Sequence, residues 1–317
     1  MRWLTDPSPA TLAEALRVVA PELSQCSIVM PKLVARDEPL WQSSSAIVGE
    51  QFVAKFAWSQ PAALRLAHEI RVLTALAREP VVPFLPEVVV SSVDPLLLLT
   101  RRVPGATLFD VVGSIDRDRA GSQLARFLAA LHRSETRRHV EATIGKIPDA
   151  HEGPQHPTST EVLRERFGRL IRTEQRRTVI RWCDWADATL ETRPSTVLVH
   201  ADLHGDNQVW DHGELQLVVD FETVSAAEPE YDLRALPGTG PGVELLTATV
   251  RHYQQITGHR LAIDRVMAWH LRTALGDALW RCEAGIALPD RSTPTAWIDD
   301  LSTRLKDAGI DAGRVRL

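Results

Sequence analysis

The feature that most restricts the fold of this chain is a polar segment, HADLHGDN, at positions 200–207, which lies between short apolar runs of β-type residues. Asn207 stands five residues after Asp202, and Asp220 follows thirteen residues later, directly after the apolar run 217–219. Residues at the ends of strands lie on loops that carry side chains into clefts. We therefore expect these three oxygen-bearing side chains to meet on two neighbouring turns.

The residue types and their spacing fit phosphoryl transfer from a nucleotide. A carboxylate such as Asp202 can accept the proton of an attacking hydroxyl group. An amide oxygen and a carboxylate, here on Asn207 and Asp220, are hard ligands of the kind that Mg²⁺ takes together with substrate phosphates. The sequence thus predicts Asp202 as catalytic base and the other two as metal ligands, with Glu222 ranked below them. The alternative is that Asp202, Asp206 and Asn207 only form turns.

Two histidines of the same segment offer a competing metal site. His200 and His204 stand four residues apart, which is a zinc-binding spacing when both lie on one helix. Gly205 and the loop context argue against a helix at this point. We expect His200 to pack against the loop and to hydrogen-bond its backbone. Asp232 is expected to act as a helix cap or as a buried acceptor that supports the catalytic loop.

The first hundred residues predict a small, mostly antiparallel sheet with one prominent helix. Gly49 and Glu50 divide two apolar runs and form a hairpin signal. Pro61 opens a helix that stops before Pro80, and a shorter helix is expected at 11–19. Strands are expected at 27–34, 47–48, 51–56, 88–90 and 96–100.

A lysine and a glutamate of this part form the second candidate constellation. Lys55 alternates with Phe52, Ala54 and Phe56, so it lies on the opposite face of its strand. Glu69 falls on the apolar stripe of the helix that Pro61 opens, where a carboxylate is costly without a partner. A Lys55–Glu69 pair directed towards nucleotide phosphates explains both positions. The alternatives are a solvent-facing lysine and a glutamate that reaches water.

Three serines precede the hairpin at the position where protein kinases carry a glycine-rich loop. Ser43, Ser44 and Ser45 have small side chains that let a backbone approach phosphates, and their hydroxyls can donate hydrogen bonds. The chain contains no G-x-G-x-x-G and no Walker A motif. The serines are therefore candidate nucleotide contacts, with an ordinary turn as the alternative.

The segment Val103-Pro104-Gly105 marks a change of domain, because Pro-Gly after a strand favours a break in the layout. We expect an N-terminal unit over 1–102 and a C-terminal unit over 103–317. Short strands are expected at 196–199, 208–210 and 215–219, and helices at 124–132, 161–190, 243–257 and 263–284. This layout, a β-rich lobe followed by a helical lobe, predicts the α+β class.

Composition limits the partners. The formal net charge is −5, from 36 Lys+Arg and 41 Asp+Glu, which argues against nucleic acid as the main partner. Cys26, Cys183 and Cys282 are odd in number and far apart, so we expect reduced thiols in a cytoplasmic protein. The longest aliphatic run, at 96–99, is too short to span a bilayer, and no membrane partner is expected.

On these residues the chain resembles the aminoglycoside phosphotransferase family of the protein-kinase-like superfamily. The match rests on 199–207 and 219–222, with the Lys55/Glu69 pair and the segments 103–105, 128–132 and 229–232 in the same order. The resemblance implies a bilobal protein-kinase-like fold with a small β-rich N-lobe and a larger α-helical C-lobe. It also implies a nucleotide at the hinge, near Arg101 and Val103, with Mg²⁺ and ATP, or GTP in its place, as cofactors.

The resemblance further implies transfer of the nucleotide γ-phosphate to a hydroxyl group of a small molecule, by a monomer or a dimer. The first candidate acceptor is an aminoglycoside or a related cationic antibiotic, which acidic residues of the C-terminal half would suit: Glu228, Glu230, Asp277 and Glu283. One alternative is a metabolic kinase for a sugar, a choline-like amino alcohol, homoserine or a macrolide. The other is a pseudokinase-like module that binds nucleotide without turnover, although such a scaffold needs neither Asp202 nor Lys55.

Overall fold

The computed structural model of the protein describes residues 1–31, 39–78, 81–152, 157–192, 194–238, 242–288 and 293–312. The strands in these ranges are β1 (Ile28–Val29), β2 (Ser43–Val48), β3 (Phe52–Ala57), β4 (Val88–Val93), β5 (Leu96–Arg101), β6 (Ala106–Thr107), β7 (Val197–Val199), β8 (Gln208–Asp211), β9 (Glu214–Val218) and β10 (Ser225–Ala227). The α-helices are α1 (Pro9–Val19), α2 (Gln60–Leu76), α3 (Leu108–Val111), α4 (Arg117–Leu131), α5 (Ser134–Ile144), α6 (Thr160–Arg166), α7 (Thr173–Leu190), α8 (Val243–Thr257), α9 (Ile263–Glu283) and α10 (Pro294–Asp307).

An antiparallel sheet in the order β1-β2-β3-β5-β4 forms the first part of the chain. Three residues, 49–51, connect β2 to β3, since Val48 pairs with Phe52. Gly49 and Glu50 have φ values of +56° and +61°, the left-handed conformation that tight hairpin connections use. Phe56 and its neighbours on one face of the sheet pack against α1, and Leu98 on the other face packs with the apolar side of α2. The predicted small sheet with one prominent helix is confirmed.

The three serines lie in strand β2 rather than in a loop. Ser45 pairs with Lys55, and Ser43 pairs with Ala57, across the β2–β3 ladder. The expectation of a loop or turn at Ser43, Ser44 and Ser45 is wrong. The reason is that pairing with β3 provides partners for the backbone N–H and C=O groups of this segment, which an isolated turn would not.

The remaining N-terminal boundaries differ from expectation by a few residues. The expected strand 27–34 is reduced to β1 within the described residues, and positions 32–34 lie outside them. Helix α2 begins one residue before Pro61, because the Ser59 side chain accepts a hydrogen bond from the backbone N–H of Ala62 and caps the helix. It ends at Leu76, and positions 79–80 lie outside the described residues.

The C-terminal part is mainly helical, with α4 packed along α8 and α7 packed along α9. Two short sheets interrupt the helices, in the orders β10-β7 and β6-β8-β9. The segment 161–190 is helical as predicted, but it forms two helices, because a 3₁₀ turn at Phe167–Arg169 separates α6 from α7. Phe167 is wholly buried at this turn, and α6 lies back against α7, since Arg164 contacts Asp184 and Asp187.

The strand pairing supports a division of the chain near the Pro104-Gly105 segment. Strand β5 belongs to the five-stranded sheet, whereas the next strand, β6, pairs with β8 of the helical part. We keep the boundary between residues 102 and 103 as a proposal. Within the described ranges, none of the helices has both the length and the apolar character that crossing a bilayer demands.

A buried histidine in α9 makes the helical part sensitive to acid. His270 donates from Nδ1 to the backbone oxygen of Arg234 at 2.8 Å, and its Nε2 faces the Arg304 guanidinium at 3.4 Å. Burial, together with the positive charge of Arg304, lowers the pKa of His270 to about 3. The folded protein therefore holds this ring neutral at pH values where the unfolded chain protonates it.

We expect His270→Asn to reduce the acid lability of the fold, because Asn can still donate to the Arg234 carbonyl but does not titrate. In the wild type, unfolding takes up a proton at His270 below pH 6.5, so stability rises with pH between about 3 and 6.5. The free energy of unfolding should fall by about 2 kcal/mol more in the wild type than in the variant when pH drops from 7 to 5. Urea unfolding at both pH values measures this difference, and equal losses in the two proteins would contradict the assignment.

Candidate active site

The catalytic-loop segment 200–207 begins with an unusual backbone conformation. Strand β7 ends at Val199, and two residues later Ala201 has a φ of +66°, a left-handed conformation that costs a residue with a Cβ atom free energy. The backbone N–H of Ala201 donates to Asp232 Oδ1 at 2.7 Å, and its carbonyl accepts a hydrogen bond from Arg234. These two bonds hold Ala201 from both sides and turn the chain so that Asp202 leaves the strand direction.

Asp232 is a wholly buried acceptor for this turn. Its Oδ2 accepts hydrogen bonds from the backbone N–H of His200 at 2.9 Å and from His132 Nε2 at 3.0 Å. Burial by itself would raise the pKa of Asp232, but the hydrogen bond from His132 and the loop N–H groups lower it overall. The expectation that Asp232 supports the catalytic loop as a buried acceptor is confirmed.

His200 uses both ring nitrogens within the loop. Its Nδ1 accepts from the backbone N–H of Asp202 at 3.2 Å, so Nε2 carries the proton and donates to the carbonyl of Val219 at 3.0 Å. Burial lowers the pKa of His200, which keeps the neutral ring that this arrangement needs. His200 therefore packs against the loop as expected, and with both nitrogens engaged it cannot also bind zinc.

Asp202 is held as a carboxylate at the edge of the cleft. Its side chain is 25% exposed, and His204 Nε2 lies 3.6 Å from its Oδ2. Burial would raise the pKa of Asp202, but the contact with His204 and the nearby Arg234 charge lower it. The same contact raises the pKa of His204 against the effect of its burial. Asp202 is thus ionised at neutral pH and can accept a proton.

Asn207 and Asp220 stand at the same end of the β8–β9 hairpin. The backbone N–H of Val219 donates to the Asn207 carbonyl at 2.9 Å, next to the paired residues Gln208 and Val218. Asn207 Nδ2 donates to the Asp202 backbone oxygen at 2.8 Å, which turns the amide oxygen away from Asp202. An amide oxygen and a carboxylate on adjacent strand ends form a donor set that fits Mg²⁺ together with phosphate oxygens.

Lys55 connects the first sheet to this end of the hairpin. Its Nζ lies 2.6 Å from Glu69 Oε2 and 3.8 Å from Glu222 Oε2, and it also forms an ion pair with Asp220. Burial would lower the pKa of Lys55, but the three surrounding carboxylates raise it overall. The predicted Lys55–Glu69 pair is confirmed, and the backbone N–H of Phe221 donates to the second oxygen of Glu69 at 3.2 Å.

Glu222 has a partner that sequence reasoning missed. It forms an ion pair with Arg65 of α2, whose guanidinium lies 4.2 Å from the centre of the Trp41 ring. Burial raises the pKa of Glu222 to about 7 against the effect of Lys55. Oxygens of Glu69, Asp220 and Glu222 all lie within 4.8 Å of one another, so this acidic cluster surrounds the lysine. Arg65 lies one helical turn before Glu69 on the same face of α2, and this spacing could have indicated from the sequence that Arg65 belongs to the cluster.

The other predicted nucleotide contacts divide between the two faces of the sheet. Cross-strand partners share a face, so Ser43 and Ser45 lie on the same face as Lys55, while Ser44 lies with the residues that pack on α1. Arg101 is exposed on that second face, where its Nε lies 2.9 Å from Glu87. Only the backbone of Arg101 can therefore contact a ligand on the Lys55 side.

Val103 lies directly after the first sheet. It is half-buried and lines a cavity of about 450 Å³ beside the β2–β3 turn. Nucleotide contacts at Ser43, Ser45, Arg101 and Val103 stay predictions.

Residues 10–286 match the sequence model of the phosphotransferase enzyme family. The chain belongs to this family. The resemblance stated from the motifs is thereby confirmed, and the activity of the family is the transfer of phosphate to a hydroxyl group. A search of curated proteins found no match to the chain.

Solved structures of phosphotransferases have the same fold. The GDP complex of wild-type aminoglycoside 2'-phosphotransferase-IIIa aligns over 95% of this chain and 98% of that chain, with 19% identity and a TM-score of 0.68. Spectinomycin phosphotransferase APH(9)-Ia with ADP and spectinomycin aligns over 98% and 100%, with 11% identity and a TM-score of 0.64.

A third structure, macrolide 2'-phosphotransferase MphH from Brachybacterium faecium, aligns over 88% of this chain and 92% of that chain, with 17% identity and a TM-score of 0.57. At these identities the likeness establishes the fold. The predicted α+β, bilobal kinase-like architecture is confirmed, with its small antiparallel sheet in the N-lobe and its helical C-lobe.

We expect Asp232→Asn to destabilise the protein strongly, because an amide nitrogen would face backbone N–H groups or His132 where a carboxylate now accepts three hydrogen bonds. Loss of one partner from such a buried charged network costs about 3 kcal/mol. Urea unfolding followed by tryptophan fluorescence measures the change. Asp206→Asn is the matched control, since Asp206 lies in the same loop with a side chain that is 64% exposed and should change stability by less than about 0.5 kcal/mol.

Proposed function

We propose that the protein is a Mg²⁺- and nucleotide-dependent kinase that transfers the γ-phosphoryl group to a hydroxyl group of a small molecule. The observation that carries this proposal is the convergence of Lys55, Glu69 and Asp220 in one ion cluster, beside the strand ends that bear Asn207 and Asp202. A lysine held by a glutamate, facing a carboxylate and an amide, is the arrangement that phosphoryl transfer uses.

Each residue has a distinct role in the proposed reaction. Asp202 orients the acceptor hydroxyl and takes its proton as the oxygen attacks the γ-phosphorus. The new O–P bond forms while the bond from the γ-phosphorus to its bridging oxygen breaks, and the nucleoside diphosphate leaves with the electron pair. Lys55, held by Glu69, binds phosphate oxygens. Asn207 and Asp220 would hold Mg²⁺, which neutralises phosphate charge when bound.

The nucleotide is proposed from the relatives of similar fold. Their structures are complexes with GDP, ADP or ATP, so either purine nucleotide is a candidate for this chain. Ser43, Ser45 and the backbone at Arg101 and Val103 are proposed contacts, because they follow the Lys55 face of the sheet towards the start of the helical part.

We expect Asp202→Asn to lower the rate of phosphate transfer by about 10²- to 10⁴-fold, because the amide cannot accept the hydroxyl proton. Transfer from ATP and from GTP to each acceptor of a panel is followed by mass spectrometry. Asp206→Asn is the matched control and should retain the wild-type rate. A full rate in Asp202→Asn would refute the base assignment. Nucleotide binding by the wild type without transfer to any acceptor or to water would favour the pseudokinase-like alternative.

The first candidate acceptor is an aminoglycoside or a related antibiotic. Relatives of similar fold are complexes with kanamycin, gentamicin, streptomycin or spectinomycin. An acceptor of that class carries several ammonium groups and needs carboxylates that are free to receive them. The acidic residues named from the sequence are therefore decisive for this candidate.

Those four acidic residues are already engaged within the protein. Glu228 lies 2.5 Å from Arg265, Asp277 lies 2.9 Å from Arg281, and Glu283 lies 2.5 Å from Arg166. Glu230 is buried and accepts from the backbone N–H of Ala262 at 3.0 Å. Glu228 and Glu230 are thus buried with partners, and Asp277 and Glu283 would have to leave their arginine partners to receive a cationic acceptor.

Positive and aromatic groups stand behind the catalytic loop instead. Arg234 contacts the carbonyl of Ala201 and lies 4.0 Å from the centre of the Tyr231 ring. Trp269 packs at 5.2 Å from Tyr231, and Arg272 lies 4.9 Å from the Trp269 ring. Tyr231, Arg234 and Trp269 are buried, so the pairing of the four carboxylates is what favours a second acceptor class, a neutral hydroxyl compound such as a sugar or a macrolide-like ring, over a polycation.

We expect turnover with neutral hydroxyl compounds to exceed turnover with kanamycin by at least about tenfold in kcat/KM, because the four acidic residues that could receive its ammonium groups are already paired within the protein. Initial rates of nucleoside diphosphate release at low and physiological salt measure the preference. A higher kcat/KM for kanamycin, most marked at low salt, would establish the first candidate and exclude the second.

A further inference from the structure

A large groove lies on the helical part, apart from the cluster around Lys55. It has a volume of about 1210 Å³ and runs between the end of α4, the start of α5 and the end of α8. Neither the catalytic loop residue Asp202 nor the metal-site candidates Asn207 and Asp220 line it. A cavity of this size accommodates a small organic ligand, and the phosphotransferase reaction has no use for it.

The walls of the groove concentrate positive charge in a chain whose formal net charge is −5. Five arginines line it, against two glutamates. Arg137 is engaged by Glu141 at 2.9 Å, and the other glutamate, Glu230, is buried with its carboxylate on a backbone N–H group. Arg126 and Arg260 are exposed, and the described residues provide neither of them with a carboxylate partner. Guanidinium groups gathered in one concavity attract anions, phosphates above all.

The start of α5 adds to the positive electrostatic potential of the groove. Arg133 occupies the N-cap position of α5 and provides no side-chain hydrogen bond to the first turn. A cation at this end of a helix opposes the helix dipole. Arg133 and Arg138 form ion pairs with the exposed Glu135, at 3.7 and 3.4 Å, and exposed pairs of this kind stabilise little. A bound anion would complement both the helix end and the arginines.

The groove also has apolar walls and a connection to the catalytic loop. Val81 and Ile256 expose 41% and 51% of their surface at its edges. Its floor includes Tyr253, whose hydroxyl lies 3.2 Å from Nδ1 of His132. His132 in turn donates to Asp232, which holds the backbone of the catalytic loop. A ligand on the floor would therefore lie two hydrogen bonds from the carboxylate that positions Asp202.

We propose that this groove binds an organic phosphate, with Arg126 and Arg260 on the phosphate group and the apolar edges on the organic part. Lys55, Asp202, Asn207 and Asp220 do not line this groove. The proposal goes beyond the kinase reaction and does not depend on it, since no residue that carries the chemistry takes part.

Phenyl phosphate is the probe, because it combines one phosphate group with an apolar ring. We expect one molecule to bind the full-length protein in isothermal titration calorimetry, more tightly than inorganic phosphate or phenol. The double variant Arg126→Ala/Arg260→Ala should weaken binding by at least about tenfold, since it removes two charge-assisted contacts. Raising the salt concentration should weaken binding to the wild type.

A control variant separates this site from other sources of anion binding. Arg17→Ala/Arg177→Ala removes the same charge from two exposed positions on α1 and α7 and should bind phenyl phosphate as the wild type does. Equal affinity in the Arg126/Arg260 variant, an equal loss of affinity in the Arg17/Arg177 variant, or no saturable binding of phenyl phosphate would each overturn the proposal.

Discussion

One buried ammonium group fixes the position of the first sheet relative to the helical part of this protein. Lys55 comes from the first sheet, and its three carboxylate partners come from α2 and from the segment after β9: Glu69, Asp220 and Glu222. Buried charges are costly unless each has a partner, so the sheet, the helix and the hairpin end must meet at one point. The same constraint places Lys55, the proposed phosphate-binding residue, beside the metal-site candidate Asp220, which links the stability of the fold to its proposed chemistry.

A second buried carboxylate determines where Asp202, the proposed catalytic base, is placed. Asp232 binds the N–H groups of His200 and Ala201 and the ring of His132. Ala201 remains in a left-handed conformation because its N–H and C=O groups are both held, the carbonyl by Arg234. The loop is thus positioned by hydrogen bonds behind it, and Asp202 remains available to the cleft. Those contacts also connect the catalytic loop to the arginine-lined groove on the other side of α4.

The sequence predicted the elements with strong local signals and failed where tertiary contacts decide. Helix α8 begins and ends as predicted, and the Gly49-Glu50 hairpin turn was found from its dipeptide. The serines before that turn were expected in a loop, because their composition is typical of turns, but pairing with β3 places them in a strand. The helical pattern over 161–190 hid a change of direction, since periodicity reports an apolar face and not the course of the chain.

For the candidate site, too, the sequence predicted the residues with strong local signals, and tertiary contacts decided the rest. Residue type and spacing predicted Asp202 as catalytic base, Asn207 and Asp220 as metal ligands and the Lys55–Glu69 pair, because oxygen ligands and a lysine in an apolar strand are costly without a use. The pair is present in the structure, and the family was named from the resemblance of the motifs. Only the tertiary structure decided which carboxylates are already engaged within the protein. Arg65 forms an ion pair with Glu222, and Arg265 forms one with Glu228. These partners lie far away in the sequence, and the energy of an ion pair depends on distance and burial, which no linear pattern contains.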